Sequence, residues 1–294
     1  MYNKKTRAAK YIIPGVLLIT LFIYIPVIFN FGYSFFSWAS YSKEKTFVGL
    51  SNYTRLFADD VFYTALFNNT MYALISVVFQ IGLSLVIAWV LEQRFLRDSG
   101  KVFRVIYYIP SVISMTVVGL LWQMIYNPNI GLLNPILEAI GLKGLTRDWL
   151  GDKNTAIYAV IAVSQWQYIG STMMLFIVAM QRIPMELFES SSLDGANGVQ
   201  QFFYVVIPQC KEAILMNLVV TIVNAFKVFD EVYIMTGGGP GRSTEVLGTY
   251  LYRAAFRNNE MGYATAISSI LFLITFALSI FQFQYYRKQV GEDT

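Results

Sequence analysis

Six stretches of this chain are longer and more apolar than a soluble core can use, and they leave few folds open. They cover residues 11–36, 70–91, 105–126, 155–181, 213–236 and 262–286. A helix of about 20 apolar residues crosses the roughly 30 Å of hydrocarbon in a bilayer. Five of the six hold no Asp, Glu, Lys or Arg, and the fifth in chain order carries Lys227, Asp230 and Glu231. Water is absent from the bilayer centre, so every backbone N–H and C=O there needs a partner inside the protein. Uninterrupted apolar runs of this length meet that demand only as helices. The reading is an all-α polytopic membrane protein, six transmembrane helices in one domain over residues 1–294. Only 14% of residues are charged, against about 25% in soluble chains, and those charges sit between the apolar runs.

Composition removes several chemistries. Histidine is absent, and with it the commonest metal ligand and general base. That argues against zinc enzymes and Ser/His/Asp hydrolases. The lone cysteine, Cys210, can form no intrachain disulfide. The net charge of +4 comes from residues flanking the spans, so nucleic acid is not an expected partner. The basic start (Lys4, Lys5, Arg7, Lys10) and the apolar run after it have the outline of a signal peptide. The run from Tyr11 to Phe36 is too long for an h-region, however, and no small-residue cleavage site follows, so a retained first helix is expected.

Basic residues favour the cytoplasmic side of a span. With the N-terminus inside, segments 1–10, 92–104, 182–212 and 287–294 are cytoplasmic and hold 12 of the 22 Lys and Arg in 62 residues. The outer loops 37–69, 127–154 and 237–261 hold nine in 86 residues. The head cluster and the group Arg94, Arg97, Lys101 and Arg104 agree with this orientation, and six spans put both termini in the cytoplasm. Pro26 and Pro110 fall inside spans 1 and 3, where kinks are tolerated. Trp38, Trp122, Tyr126, Tyr285 and Tyr286 fall near predicted interfaces, where anchoring is the ordinary reading.

Residues 182–212 are too structured for a linker. Pro184 ends the preceding span, and 185–194 reads as a short helix with Leu187 and Phe188 as its apolar members. Gly195 and Gly198 punctuate a turn, and residues 202–207 resume the apolar pattern before Pro208. This predicts a helix–turn–helix on the cytoplasmic face with its acidic residues directed away from lipid; an ordinary amphipathic connector fits the same pattern. The text reads Glu189-Ser190-Ser191, three residues, Gly195, nine residues, Val205-x-Ile207-Pro208. It resembles the EAA loop of the membrane subunits of binding-protein-dependent ABC importers, with Ser for both alanines, Val for Ile and Ile for Leu. The likeness runs along the chain and points to the branch similar to the maltose and glycerol-phosphate permeases. It is carried by Phe47-Val-Gly-Leu-Ser-Asn-Tyr53, Asn69-Thr70, the segment 127–141 with Gly131 and Asn134, Trp149-Leu-Gly-Asp152, and Thr236-Gly-Gly-Gly-Pro240 with Thr244.

That resemblance implies a docking loop, Glu186, Glu189, Ser190, Ser191, Asp194, Gly195 and Ala196, seated in a groove on a cytoplasmic ATPase. A central Glu189 offers a charge-assisted hydrogen bond to a basic partner residue, and Gly195 allows a tight turn and close approach. It further implies a second homologous permease subunit, two ATP-binding subunits, an extracellular solute-binding protein, a sugar as solute, and a bacterial or archaeal cytoplasmic membrane. ATP and Mg would reside on the partner subunits, with no cofactor and no enzymatic activity on this chain. Thr236-Gly-Gly-Gly-Pro-Gly-Arg-Ser243 has the look of a phosphate loop, but Thr replaces its first Gly and Arg its Lys. No strand precedes it and the topology puts it outside. A tight turn after span 5 is the better reading.

Polar side chains within spans are candidates for a solute path. Ser164, Gln167, Tyr168 and Ser171 share one face of span 4 by their i, i+3, i+4, i+7 spacing. Asn217, Thr221 and Asn224 share a face of span 5, Lys227 and Glu231 continue it, and Asp230 lies beside it. Hydroxyls, amides and a phenol offer both donors and acceptors to a neutral polyhydroxylated solute, and Trp166 and Tyr168 could stack on a sugar ring. Interhelical hydrogen bonding is the competing role for each. By resemblance to sugar permeases, contacts fall on Ser164, Gln167, Tyr168, Ser171, Thr221, Asn224 and Ala225. Lys227 is expected to pair with the i+3 and i+4 carboxylates, or else to serve gating or binding-protein contact. A stand-alone ion-coupled secondary transporter is the other functional class. It needs coupling-ion sites, for which only Asp230 and Glu231 could serve. An intramembrane enzyme lacks both histidine and clustered acids here.

Overall fold

A computed structural model of the chain describes residues 4–42, 44–93 and 100–290. Arg94 and Arg97 of the second connection, and the side chains of Lys4, Lys5, Arg7 and Lys10, lie outside the described residues. Among the described residues, four helices are long and apolar enough to cross a bilayer: α1 (Tyr11–Tyr33), then, after the short α2 (Ser51–Phe57), α3 (Asp60–Glu92), and later α7 (Ala156–Met180) and α13 (Met261–Lys288). Two bent pairs qualify if each is taken as one span. The first is α4 (Gly100–Val112) with α5 (Met115–Tyr126), bent by 98°. The second is α9 (Gly198–Gln209) with α10 (Lys211–Phe226), bent by 71°. Shorter helices complete the chain: α6 (Leu133–Ala139), α8 (Met185–Leu193), α11 (Asp230–Met235) and α12 (Leu247–Tyr252).

Two spans depart from the straight helices that hydropathy predicts. The third breaks at Ser114, whose ψ of 135° is extended, so a new helix begins there. The fifth ends at Phe226 instead of running to 236; Lys227, Val228 and Phe229 form a break, and α11 follows. Apolar composition permits a helix but does not oblige it to continue. Where a break occurs in lipid, something must take up the freed carbonyls.

The chain packs as two units, residues up to 62 with 250–274, and 63–249 with 275–294. In the first, Phe36–Ser37 pairs antiparallel with Thr46–Phe47. Asn52 Nδ2 donates to the carbonyls of Ser34 (2.8 Å) and Phe36 (3.1 Å), closing the end of α1. Tyr250 donates to Asp59 Oδ2 at 2.5 Å and meets the Tyr263 hydroxyl at 2.7 Å. Arg55 forms a two-pronged pair with Glu260 (2.8 and 3.0 Å) over the Tyr263 ring. The apolar side chains of α1 are exposed along its length, which suits a lipid-facing helix.

The second unit holds a cluster of buried apolar side chains. Ile81, Leu85, Ala88 and Leu91 of α3 meet Met173, Phe176, Ile177 and Met180 of α7, at helical spacing on both. Phe202, Val206 and Cys210 join them from the segment after the turn at Gly195. That segment is wound as a π-helix over Phe202–Val206, whose wider turn keeps residues four apart on one face. The loop is thereby built into the helix bundle.

Candidate functional site

The helix–turn–helix expected within residues 182–212 is present as α8 and α9. Pro184 is the N-cap of α8, and Glu186 lies in its first turn, where the helix dipole favours an anion. At its end the amide of Ala196 donates to Ser191 O (2.9 Å) and that of Gly195 to Ser192 O (3.1 Å). These are the 6→1 and 5→2 bonds of a Schellman cap, which places Gly195 at the left-handed position; its φ is +82°. Asn197 and Gln200 then form a reciprocal capping box that starts α9. Gln201 Nε2 reaches back to Phe188 O and to the hydroxyls of Ser191 and Ser192. Phe188 stacks on Trp89 at 6.0 Å, and Trp89 meets Phe202 at 6.2 Å. Glu186, Glu189, Ser190, Asp194 and Gly195 are exposed, while Ser191 and Ala196 are half-buried. A cleft of about 870 Å³ beside them is lined by Trp89, Glu92, Glu189 and Leu193, among others.

Gly195→Ala tests the cap. An L-residue in the left-handed region costs about 1–2 kcal/mol, so amide exchange at residues 194–196 is expected to quicken by roughly five- to thirtyfold. Gly198→Ala is the control, because its φ is ordinary and nothing lies within 4 Å of an added Cβ. Equal exchange in the two variants would refute the cap.

The polar stripes are only partly open. Ser164 and Gln167 are buried, Tyr168 and Ser171 half-buried, Thr221 and Ala225 buried, and Asn224 and Lys227 exposed. Ser171 turns its hydroxyl to Tyr168 O, and Asn217 donates to Ala213 O within its own helix. Trp166 leaves the stripe and packs edge-on against Trp122 at 5.6 Å. No hydrogen bond joins the two stripes among the described residues. Lys227 forms no ion pair with Asp230 or Glu231, because the helix ends before it and the i+3, i+4 geometry is lost. Asp230 and Glu231 instead lie within electrostatic reach of Tyr168. Tyr72 of α3, which the stripe pattern omits, is buried with its hydroxyl facing Ser164 and the Glu231 carboxyl, without a hydrogen bond of ordinary geometry.

Side-chain amides recur where helices end. Gln167 Nε2 donates to Ile113 O (2.9 Å) at the α4–α5 break, leaving Gln167 Oε1 buried without a partner. Gln123 Nε2 donates to Ile234 O and Met235 O, the last carbonyls of α11. Asn69 Nδ2 donates to Ala225 O and Phe226 O at the end of α10. Sequence spacing along one helix gives no sign of these caps, since each joins residues 54 to 157 positions apart. The one available signal is an amide isolated in an apolar run. Turn 236–243 is knitted by Thr236 and Thr244, whose hydroxyls meet at 2.8 Å, and by Thr244 donating to Gly239 O. No strand precedes it.

Residues 80–289 match the family model described as binding-protein-dependent transport system inner membrane component. The "Probable ABC transporter permease protein YurN" of Bacillus subtilis (strain 168) is 50% identical over 277 residues, 94% of each chain. The "Multiple sugar-binding transport system permease protein MsmF" of Streptococcus mutans serotype c is 33% identical over 279 residues, 95% of this chain and 94% of the relative. In fold, the chain is similar to one from a bacterial ABC transporter involved in the import of the acidic polysaccharide alginate. The TM-score is 0.83 at 21% identity, over 97% of this chain and 96% of that one.

Proposed function

Because the chain belongs to the family of binding-protein-dependent transport system inner membrane components, we propose that it is the membrane-spanning subunit of an ATP-driven ABC importer for a sugar or oligosaccharide. The observation that carries this reading is the acidic α8, exposed at Glu186, Glu189 and Asp194 yet anchored through Phe188 to the α3–α7 core. A short helix held at its back and charged at its front suits docking to another protein, and its motif spacing is that of an ATPase-docking loop. Docking falls to Glu186, Glu189, Ser190, Ser191, Asp194, Gly195 and Ala196. ATP and Mg belong to two cytoplasmic ATPase subunits, and solute arrives from an extracellular binding protein. A second, homologous permease completes the pore, and both termini face the cytoplasm of the bacterial or archaeal cell.

The sugar reading draws on the relative named for multiple sugar binding and on the hydroxyl, phenol and amide groups at the stripes. Ser164, Gln167, Tyr168, Ser171, Thr221, Asn224, Ala225 and Lys227 are the proposed path, with Tyr72 added from α3. The test is uptake in proteoliposomes holding the complete transporter and its binding protein. ATP-dependent accumulation of oligosaccharides is expected; uptake driven by an ion gradient without ATP would favour a secondary transporter instead. Within that assay Asn224→Ala and Tyr168→Phe are each expected to raise the half-saturating solute concentration about fivefold, the worth of one hydrogen bond of ~1 kcal/mol. Unchanged saturation in both would remove the stripes from the path.

A further inference from the structure

The end of α10 shows how the proposed path is held in place. A helix leaves its last four carbonyls without helical partners, and here these belong to Val223, Asn224, Ala225 and Phe226. The Lys227 amide donates to Val223 O and Asn224 O. Ala225 O and Phe226 O accept from the two N–H groups of Asn69, at 2.7 and 3.3 Å. Asn69 Oδ1 accepts from the amide of Leu247 (2.9 Å), the first residue of α12. One fully buried side chain thus closes the end of one helix and the beginning of another. Its neighbour Asn68, 3% exposed, sends both N–H groups to Ser243 O and Glu245 O, each at 2.8 Å, and fixes the chain that leads into α12.

The chemistry is specific to asparagine. The site needs two donors and one acceptor on a short stem, which Asp, Leu and Ala cannot supply together. Close packing at the break supports the arrangement: a Cβ on Gly248 would lie 2.7 Å from Val228 O and 3.3 Å from the Phe229 Cβ. The clamp therefore fixes where α10 stops, and with it the attitude of Asn224, Ala225 and Lys227 and the start of α11 at Asp230 and Glu231. We infer that Asn69, supported by Asn68, is a positioning residue for solute handling: it touches no solute and sets the outer end of α10 at the height and rotation that the path requires. This rests on the solute-path reading above.

The experiment uses the complete transporter with Cys210→Ala, which removes the chain's one thiol, and Asn224→Cys as a reporter. Asn69→Ala deletes the clamp, and Asn69→Asp keeps its size and acceptor while losing the donors. Both are expected to change the rate of maleimide labelling at Asn224→Cys at least about fivefold, with labelling at a Tyr158→Cys reporter on α7 unchanged. In the transporter that keeps Asn224, both are expected to raise half-saturation for solute about tenfold with the maximal rate within about twofold. Unchanged labelling would overturn the clamp whatever uptake does. Altered labelling with unchanged saturation would overturn the positioning role and, with it, the assignment of α10 to the path. Loss of maximal rate at unchanged saturation, or failure of Asn69→Asp to assemble, would assign Asn69 to folding alone and also overturn the inference.

Discussion

A transporter carrying Glu189→Lys is expected to reach the membrane at the normal level and to lose solute-stimulated ATP hydrolysis by more than about tenfold. Glu189 is exposed and lies on the short α8, whose other side is fixed by Phe188 on Trp89 and by Gln201. Because the fold does not use the Glu189 side chain, its substitution should leave insertion intact. A charge-assisted hydrogen bond to a partner is worth about 1.5–3 kcal/mol, and each ~1.4 kcal/mol is a factor of ten in affinity. Reversal of charge adds repulsion from the same basic residue, so Glu189→Lys should exceed Glu189→Gln. Membrane fractionation with ATPase assays, with and without solute-loaded binding protein, reads both quantities. Normal coupling in Glu189→Lys would remove this face of α8 from the docking surface.

Packing gives the proposed docking at α8 a route into the bundle. Phe188 touches Trp89 of α3, and the chain after the turn places Phe202, Val206 and Cys210 in the same cluster as α3 and α7. A push on α8 therefore meets a close-packed body that transmits displacement. The same α7 carries Ser164, Tyr168 and Ser171, two to four turns from its C-terminal end. The proposed docking helix and the proposed solute face are thus joined through the α3–α7 cluster.

Much of this was legible in the sequence. Of the six spans read from the apolar runs, four are continuous helices and two are bent pairs, and Glu189, Gly195 and Pro208 marked the helix, the turn and the return of the chain. Gly195 could be read because its cap is local: the partners Ser191 and Ser192 lie within a turn. The breaks at Ser114 and after Phe226 could not. The residues that follow are apolar or good helix formers, and the groups that make ending possible, Gln167 for Ile113 and Asn69 for Phe226, come from distant helices. The expected Lys227 pair failed for the same reason, since its spacing assumed a helix that the Asn69 clamp has already closed. Gln167 sits on the predicted stripe but spends its donor on that break, so a polar residue at helical spacing can serve the backbone and a path at once. Tyr72 does carry a signal, the polar repeat Tyr72, Ser76, Gln80 and Ser84 at intervals of four along α3, but a repeat does not say which helix it faces; the packing of α3 beside α7 brings Tyr72 to Ser164.

Gly170→Ala should be the most destabilising single-methyl change in the chain's second unit. A Cβ there would sit 1.8 Å from Tyr107 O, 2.4 Å from Tyr107 C and 2.9 Å from Tyr108 N, all backbone atoms of α4. No rotamer change can relieve such a clash, so the two helices must separate. In lipid, helices associate through close contact at small residues, without a hydrophobic drive to compensate for a gap. Overpacking of this kind costs ~1–3 kcal/mol or more, whereas alanine's better helix propensity returns at most about 1 kcal/mol. The loss wins, and with ~3 kcal/mol at about 2–4 °C per kcal/mol the midpoint of thermal unfolding in detergent should fall by roughly 6–12 °C. Gly82→Ala makes the opposite comparison: its added Cβ meets nothing within 4 Å, so only the propensity term applies and the midpoint should hold or rise. Since α4 leans on α7 beside the helix break that Gln167 caps, Gly170→Ala should also impair uptake in whatever protein still assembles. A midpoint equal to wild type would mean that α4 and α7 do not approach through Gly170, and the backbone contact that orients the stripe on α7 would have to be abandoned.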